Sequence, residues 1–300
     1  MSDVDTTRWR RRLIAALTLP LLAACTASPE PASGLVTLDL DDRPFQLHVP
    51  EAYDAGTRAP LVVLLHGYTS HAEEAADYFG LTAEADRRGF LVAMPEGTEN
   101  REGHQFWNAT PACCDFHGSG VDDSGYLSRL IDRVASAYAV DPARVYFVGH
   151  SNGGFMALRM ACDHAGKVTA VVSLAGAATD HAAGCAPSRP VSVLQIHGTA
   201  DRTILFDGHA GRYPSAPDTV ALWRRLDGCA DQPDTSAAPL DLDSGLAGAE
   251  TTVLGYQAGC GAGSRVELWT IEEGGHIPAP TGAFPTAVAD FLLARVAPAR

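Results

Sequence analysis

The sequence predicts an α/β fold: a mostly parallel, doubly wound sheet flanked by helices, with an antiparallel hairpin at its N-terminal edge. Three observations point to it. Short continuous apolar runs at 61–65, 90–94 and 145–148, with the mostly apolar 168–174, read as strands buried on both faces. Helix-like segments separate them, and strands alternating with helices imply parallel pairing through crossovers. Residues 35–40 and 45–49 instead alternate apolar and polar side chains around an Asp-Asp-Arg-Pro turn, the pattern of an edge hairpin.

Ahead of this domain the chain reads as an export signal. Arg8, Arg10, Arg11 and Arg12 form a positive region, and residues 13–24 are apolar but too few to span a bilayer. The run ends in Leu22-Ala23-Ala24-Cys25, which resembles a bacterial lipobox. Residues 1–24 are therefore expected to be a lipoprotein-type signal peptide, and Cys25 the lipid-bearing first residue of an envelope-anchored or secreted chain. The Arg10-Arg11 pair leaves twin-arginine or general export open. Residues 25–34, rich in Ser, Pro and Ala, read as a tether, and 35–300 as one folded domain.

Composition narrows the function. Charged residues are 19% of the chain and the formal net charge is −14, with Lys167 the only lysine, so no basic patch for nucleic acid is expected. Six cysteines follow Cys25: Cys113, Cys114, Cys162, Cys185, Cys229 and Cys260. An even number in an exported chain suggests disulfides. Cys229–Cys260 would close an irregular excursion, leaving the other four for two bridges. The adjacency of Cys113 and Cys114 and the lack of any C-x-x-C argue against zinc. No metal or cofactor is expected.

In order, strand 61–65 enters His66-Gly67-Tyr68-Thr69, and residues 71–88 are helical with a break at Gly80. Strand 90–94 stops at Pro95. Residues 96–120 form a long loop holding Trp107, the cysteine pair and His117. A loop of this length is usually functional or stapled. Asp122 and Asp123 open a helix over 124–138, acidic residues at its positive end. After Asp141-Pro142 comes strand 145–148, the turn Gly149-His150-Ser151-Asn152-Gly153, and a helix. Strands at 168–174 and 191–196, a helix at 217–226, a weakly structured stretch 227–263 with a strand at 251–256, a last strand 266–271 and a closing helix 285–296 complete the reading.

The turn after strand 145–148 is a G-x-S-x-G signature in a strand–turn–helix setting. Gly149 and Gly153 remove side chains where strand and helix crowd, and Ser151 is lifted above the sheet at a helix N-terminus, which favours developing negative charge. Two later strand ends carry Asp201 and His276, and catalysts collect at the carboxyl ends of parallel strands. The order Ser…Asp…His is that of the α/β-hydrolase fold. In this reading Ser151 attacks an acyl carbonyl, His276 moves the proton, and Asp201 orients the imidazole. Asp180 and Asp207 compete as acids, but Asp201 sits at the tighter strand end. Backbone N–H groups of Asn152 and Tyr68, with Thr69 the alternative, are the expected oxyanion donors. His66 is expected to shape its loop and His150 to be structural. Trp107 is read either as a substrate platform or as packing for the long loop.

These motifs resemble those of the polyhydroxybutyrate depolymerase/feruloyl esterase group, the LpqC-like esterases of the carbohydrate esterase type. The matching pieces are Leu64-Leu65-His66-Gly67-Tyr68, Phe106-Trp107-Asn108 with Cys113-Cys114, residues 121–127, residues 149–154, Ile196-His197-Gly198-Thr199-Ala200-Asp201 and Gly274-Gly275-His276. In that family the positions matching Ser151, Asp201 and His276 are the triad. Such proteins often follow the histidine with Thr/Ser-Trp-Pro-Gly, where this chain has Ile277-Pro278-Ala279-Pro280. The resemblance implies an exported serine esterase acting on feruloyl or acetyl polysaccharide esters or on polyhydroxyalkanoate-type polyesters. Competing readings are a peptidase of the same superfamily and a non-catalytic surface lipoprotein.

Overall fold

The computed structural model describes residues 33–179 and 184–298. The leader, Cys25, most of the tether and Asp180 lie outside the described residues. Eleven strands and six helices follow in chain order among those described. Strands β1 (Gly34–Leu38) and β2 (Phe45–Val49) form the predicted hairpin. β3 (Ala59–Leu65) leads to helices α1 (Ala72–Phe79) and α2 (Leu81–Arg88). Gly80 separates the helices at φ 61°, a left-handed conformation that costs glycine little. β4 (Leu91–Met94) follows.

The long loop is not wholly irregular. Within it β5 (Thr98–Glu99) and β6 (Gln105–Phe106) pair as a small antiparallel ribbon. Helix α3 (Asp123–Ala137) starts one residue earlier than predicted, with the Asp122 carboxylate accepting the Gly125 N–H at its N-terminus.

β7 (Val140–His150) begins before its apolar run. It pairs with β3 at Ala59–Val140, then shifts register to Leu61–Val145, so 141–144 form an irregularity. Pro142 falls there, where a strand tolerates the missing N–H. The remaining elements are α4 (Asn152–Asp163), β8 (Ala170–Leu174), β9 (Ser192–Gly198), α5 (Ala216–Leu226), β10 (Thr251–Tyr256), β11 (Val266–Ile271) and α6 (Phe284–Leu293).

Nine strands form one sheet in the order β1-β2-β4-β3-β7-β8-β9-β11-β10. The six from β4 to β11 are parallel, and antiparallel strands close both edges. Because strand side chains alternate, each central strand feeds two cores. Leu61, Val63, Leu65, Val145 and Phe147 pack on one face with residues of α3, α4 and α5. Val62, Leu64, Tyr146 and Val148 pack on the other with α1, α2 and α6. This two-sided burial is why the strands read as unbroken apolar runs. It also sets β7, and the turn that ends it, in the middle of the molecule.

The cysteines pair as Cys113–Cys114, Cys162–Cys185 and Cys229–Cys260. The last of these closes the stretch between α5 and β11, as the spacing suggested. Another joins neighbouring residues within the long loop.

Candidate active site

Ser151 sits where β7 becomes α4, with φ 54° and ψ −119°. A serine holds that strained conformation only if its surroundings enforce it. Two glycines do so. A Cβ on Gly149 would collide with the backbone of Gly153, and one on Gly153 with the Leu65 carbonyl at the end of β3. The helix start therefore lies directly on the neighbouring strand end. The Ser151 N–H is tied to the Leu174 carbonyl at 2.8 Å, which also fastens the turn to β8.

The other two strand-end residues converge on this hydroxyl. His276 Nε2 is 2.9 Å from Ser151 Oγ, and His276 Nδ1 is 2.7 Å from Asp201 Oδ2. Asp201 Oδ1 accepts the N–H groups of Thr203 and Ile204 at 2.8 and 2.9 Å. Asp207 is solvent-exposed, and Asp201 is the carboxylate beside the imidazole. Burial opposes ionisation of Asp201, yet hydrogen bonds from His197 and His276 outweigh it and hold the carboxyl well below its usual range. In this geometry an imidazole can take the serine proton at Nε2 while Nδ1–H stays on the carboxylate.

The His276 loop is pinned from outside. His150 Nε2 donates to the His276 carbonyl at 2.8 Å, and Tyr78 Oη donates to the Pro278 carbonyl at 2.8 Å. Asp243 Oδ1 accepts the Ala279 N–H at 3.0 Å. Burial pushes the His150 imidazole down to about 4, so near neutral pH it is an uncharged donor. The stretch Ile277-Pro278-Ala279-Pro280 is thus held through its backbone.

The side of the turn where oxyanion donors were expected is built from the β3 end and the long loop. His66 is fully buried; its Nδ1 donates to the Gly67 carbonyl at 2.7 Å and its Nε2 accepts the Gly97 N–H at 2.9 Å. Both ring nitrogens are thus committed to loop backbone. Burial lowers its pKa. The Thr69 N–H donates to the Gln105 carbonyl at 2.9 Å, which removes the alternative oxyanion donor. The Tyr68 N–H has no backbone partner among the described residues, and the Asn152 N–H opens a helix and so has no intrahelical partner. A Cβ on Gly67 would lie 3.6 Å from Ser151 Cβ, so Tyr68 follows a residue in contact with the serine.

Trp107 corrects one reading. It is 0% exposed, and its indole N–H donates to the His66 carbonyl at 3.1 Å, so it cannot offer a face to substrate. Its backbone pairs with the Asn152 side chain, Oδ1 accepting the Trp107 N–H at 2.7 Å and Nδ2 donating to the Trp107 carbonyl at 2.9 Å. Trp107 is packing that ties the long loop to the serine turn.

Sequence reasoning missed Asp123 as a loop anchor. Its buried carboxylate accepts Arg43 Nη1 at 2.6 Å and the Asn108 N–H at 2.7 Å, and Arg43 reaches on to the Glu96 carbonyl. The acidic pair before α3 was the available signal, but it reads equally as helix capping. The exposed apolar residues were missed as well. Phe116 (59% exposed) packs edge-on to Tyr68, while Leu205 and Ile277 are exposed near Asp201 and His276 in sequence.

A doubly wound sheet with its strained serine turn at the central strand end defines an α/β-hydrolase fold. Residues 40–236 match the model of the esterase family, described as "Putative esterase", and the chain belongs to that family. It is a carboxylic ester hydrolase. It is 33% identical over 258 residues to "Putative esterase NocK" of Nocardia uniformis subsp. tsuyamanensis, covering 81% of this chain and 72% of that one. It is 26% identical over 239 residues to feruloyl esterase B of Piromyces equi, covering 76% of this chain but 41% of that longer protein. Among solved structures, acetyl xylan esterase from Aspergillus awamori has the same fold, with TM-score 0.61 and 15% identity over 87% of this chain and 99% of that one.

Proposed function

We propose that the protein hydrolyses carboxylic esters through an acyl-enzyme, with Ser151 as nucleophile, His276 as general base and then acid, and Asp201 as its orienting carboxylate. The observation that carries this is the continuous hydrogen-bonded chain from Ser151 Oγ through His276 to Asp201 Oδ2, at 2.9 and 2.7 Å. Serine attack on the acyl carbon passes its proton to His276 Nε2. The tetrahedral oxyanion faces the N–H groups of Tyr68 and Asn152, at the positive end of α4. Collapse expels the alcohol, which takes the proton back, and water repeats the sequence on the acyl-enzyme. Ser151→Ala should abolish hydrolysis of p-nitrophenyl acetate and labelling by a fluorophosphonate; wild-type turnover in that variant would end the proposal.

The substrates we propose are feruloyl or acetyl esters of polysaccharides, or polyhydroxyalkanoate-type polyesters. Exposed Phe116, Leu205 and Ile277 on loops next to site residues, in a chain of net charge −14, favour a neutral ester with an apolar part. Methyl ferulate, acetylated xylan and polyhydroxybutyrate compared on the purified enzyme separate these classes. The leader implies export, with lipid attachment at Cys25. Mass spectrometry finding an unmodified Cys25 in the mature protein would remove the anchor.

A further inference from the structure

His197 is a buried histidine that the hydrolytic cycle leaves without a part. It lies in β9, four residues before Asp201, and is 1% exposed. Its Nδ1 is 3.2 Å from Gln195 Nε2; its Nε2 is 2.8 Å from the Ile204 carbonyl and 3.3 Å from Asp201 Oδ2. Gln195 Nε2 also donates to the Gly176 carbonyl at 2.8 Å, and the reverse amide orientation would set two acceptors together. The amide is therefore fixed, and it fixes the tautomer: Nδ1 accepts and Nε2 carries the proton. The ring of Phe206 meets His197 edge-on at 5.8 Å and holds its plane.

We infer that His197 is a positioning residue of the triad: its Nε2–H, held by the Ile204 carbonyl at 2.8 Å, is shared with the same Asp201 oxygen that receives His276, 3.3 Å away. The inference rests on reading Ser151, His276 and Asp201 as catalytic. Two backbone N–H groups occupy Oδ1, so the groups facing Oδ2 are His276 at 2.7 Å and the shared His197 N–H at 3.3 Å. This has two consequences. The carboxylate cannot swing, so its lone pair stays aimed at His276 Nδ1. The second donor also draws negative charge from Oδ2, which moderates how strongly Asp201 stabilises the imidazolium. Asp201 and His150 both feel the charge of His197, and His276 and His150 bear on the same carboxylate. His150 acts on the backbone of the catalytic histidine and His197 on the carboxylate, so the two are distinguishable.

The test is the pH dependence of kcat/KM for p-nitrophenyl acetate in the full-length protein. Removing the donor in His197→Leu leaves Asp201 more strongly charged, so His276 keeps its activating proton transfer blocked to higher pH. The acid limb should move up by roughly 0.5–1 pH unit. His197→Gln, whose amide can still donate, should return the limb to within about 0.2 unit of wild type. A folded His197→Leu enzyme with an unmoved limb overturns the inference. Should that variant not fold, side-chain ¹⁵N NMR of the wild-type protein at pH 8 decides: a proton on Nε2 with a bare Nδ1 supports it, and the opposite tautomer overturns it. Ser151→Ala in parallel separates the readings. Residual wild-type activity there sinks the triad itself, whereas an inactive Ser151→Ala with an unmoved limb sinks the role of His197 alone.

Discussion

Replacing Asn152 with alanine removes the three hydrogen bonds its side chain makes to the long loop, two with the Trp107 backbone and a weak one to Cys113 Sγ at 3.5 Å. The Trp107 N–H loses its acceptor at 2.7 Å, and the Trp107 carbonyl loses a donor at 2.9 Å. The carbonyl keeps the Cys114 N–H at 3.3 Å, but the N–H is left buried with no partner. A stranded buried donor costs about 1–3 kcal/mol, and the lost second bond to the carbonyl about 1 more, so the variant should be less stable by about 2–4 kcal/mol. For a domain of this size that lowers the melting temperature by roughly 5–10 °C. The backbone N–H at position 152 survives the substitution, so the proposed oxyanion donor remains. Turnover measured well below the melting point should fall by about tenfold or less, far from the hundredfold or more expected on losing a donor itself. Differential scanning calorimetry with initial-rate kinetics reads both quantities. A melting temperature within 1 °C of wild type would refute the coupling argument, and a thousandfold loss of turnover in a stable variant would show that the side chain itself takes part in catalysis.

Other substitutions probe the rest of the frame. Burial raises the Asp227 carboxyl from 3.8 to about 6, against the Val191 N–H that favours its ionised form. The folded state therefore holds this proton more tightly than the unfolded chain. The stabilisation is complete below about pH 4 and is lost as pH rises to about 6, amounting to about 2–3 kcal/mol. Asp227→Asn should flatten the pH dependence of urea unfolding over that window and raise stability at neutral pH. Gly153→Ala forces a methyl against the Leu65 and His66 carbonyls, so α4 must lift from β3. It should cost about 1–3 kcal/mol or more in thermal melts and depress turnover by separating the Tyr68 and Asn152 donors. Asp123→Ala strands the Arg43 guanidinium and the Asn108 N–H, and should cost about 3–5 kcal/mol in urea unfolding. In the Arg43→Ala background the same change should cost measurably less.

The resemblance and the residues read the same way as far as local chemistry reaches. Gly149, Ser151 and Gly153 lie within five positions, so the strain of the turn is a property of adjacent backbone and was legible as text. The strands were legible because both sheet faces are covered, which leaves β3, β4 and the end of β7 as nearly unbroken apolar runs. The order of Ser151, Asp201 and His276 followed from counting strand ends. Element edges were less legible: β7 begins at Val140 because it pairs with Ala59, a partner far away in the chain.

What the sequence by itself determined is the fold class, the serine turn and the residue types at strand ends, because each depends on neighbours a few positions apart. Which side chains face solvent and which meet was decided by tertiary structure alone. Trp107 could have been a platform until the loop folded over it, and Asp123 a helix-capping residue until Arg43 and Asn108 reached it. Nothing in a spacing of 125 residues states that a hydroxyl and an imidazole nitrogen end 2.9 Å apart. That distance is set by crossovers, by the twist of the sheet and by glycines that admit close backbone contact. Burial and long-range pairing are properties of the assembled core, and only the packed chain fixes them.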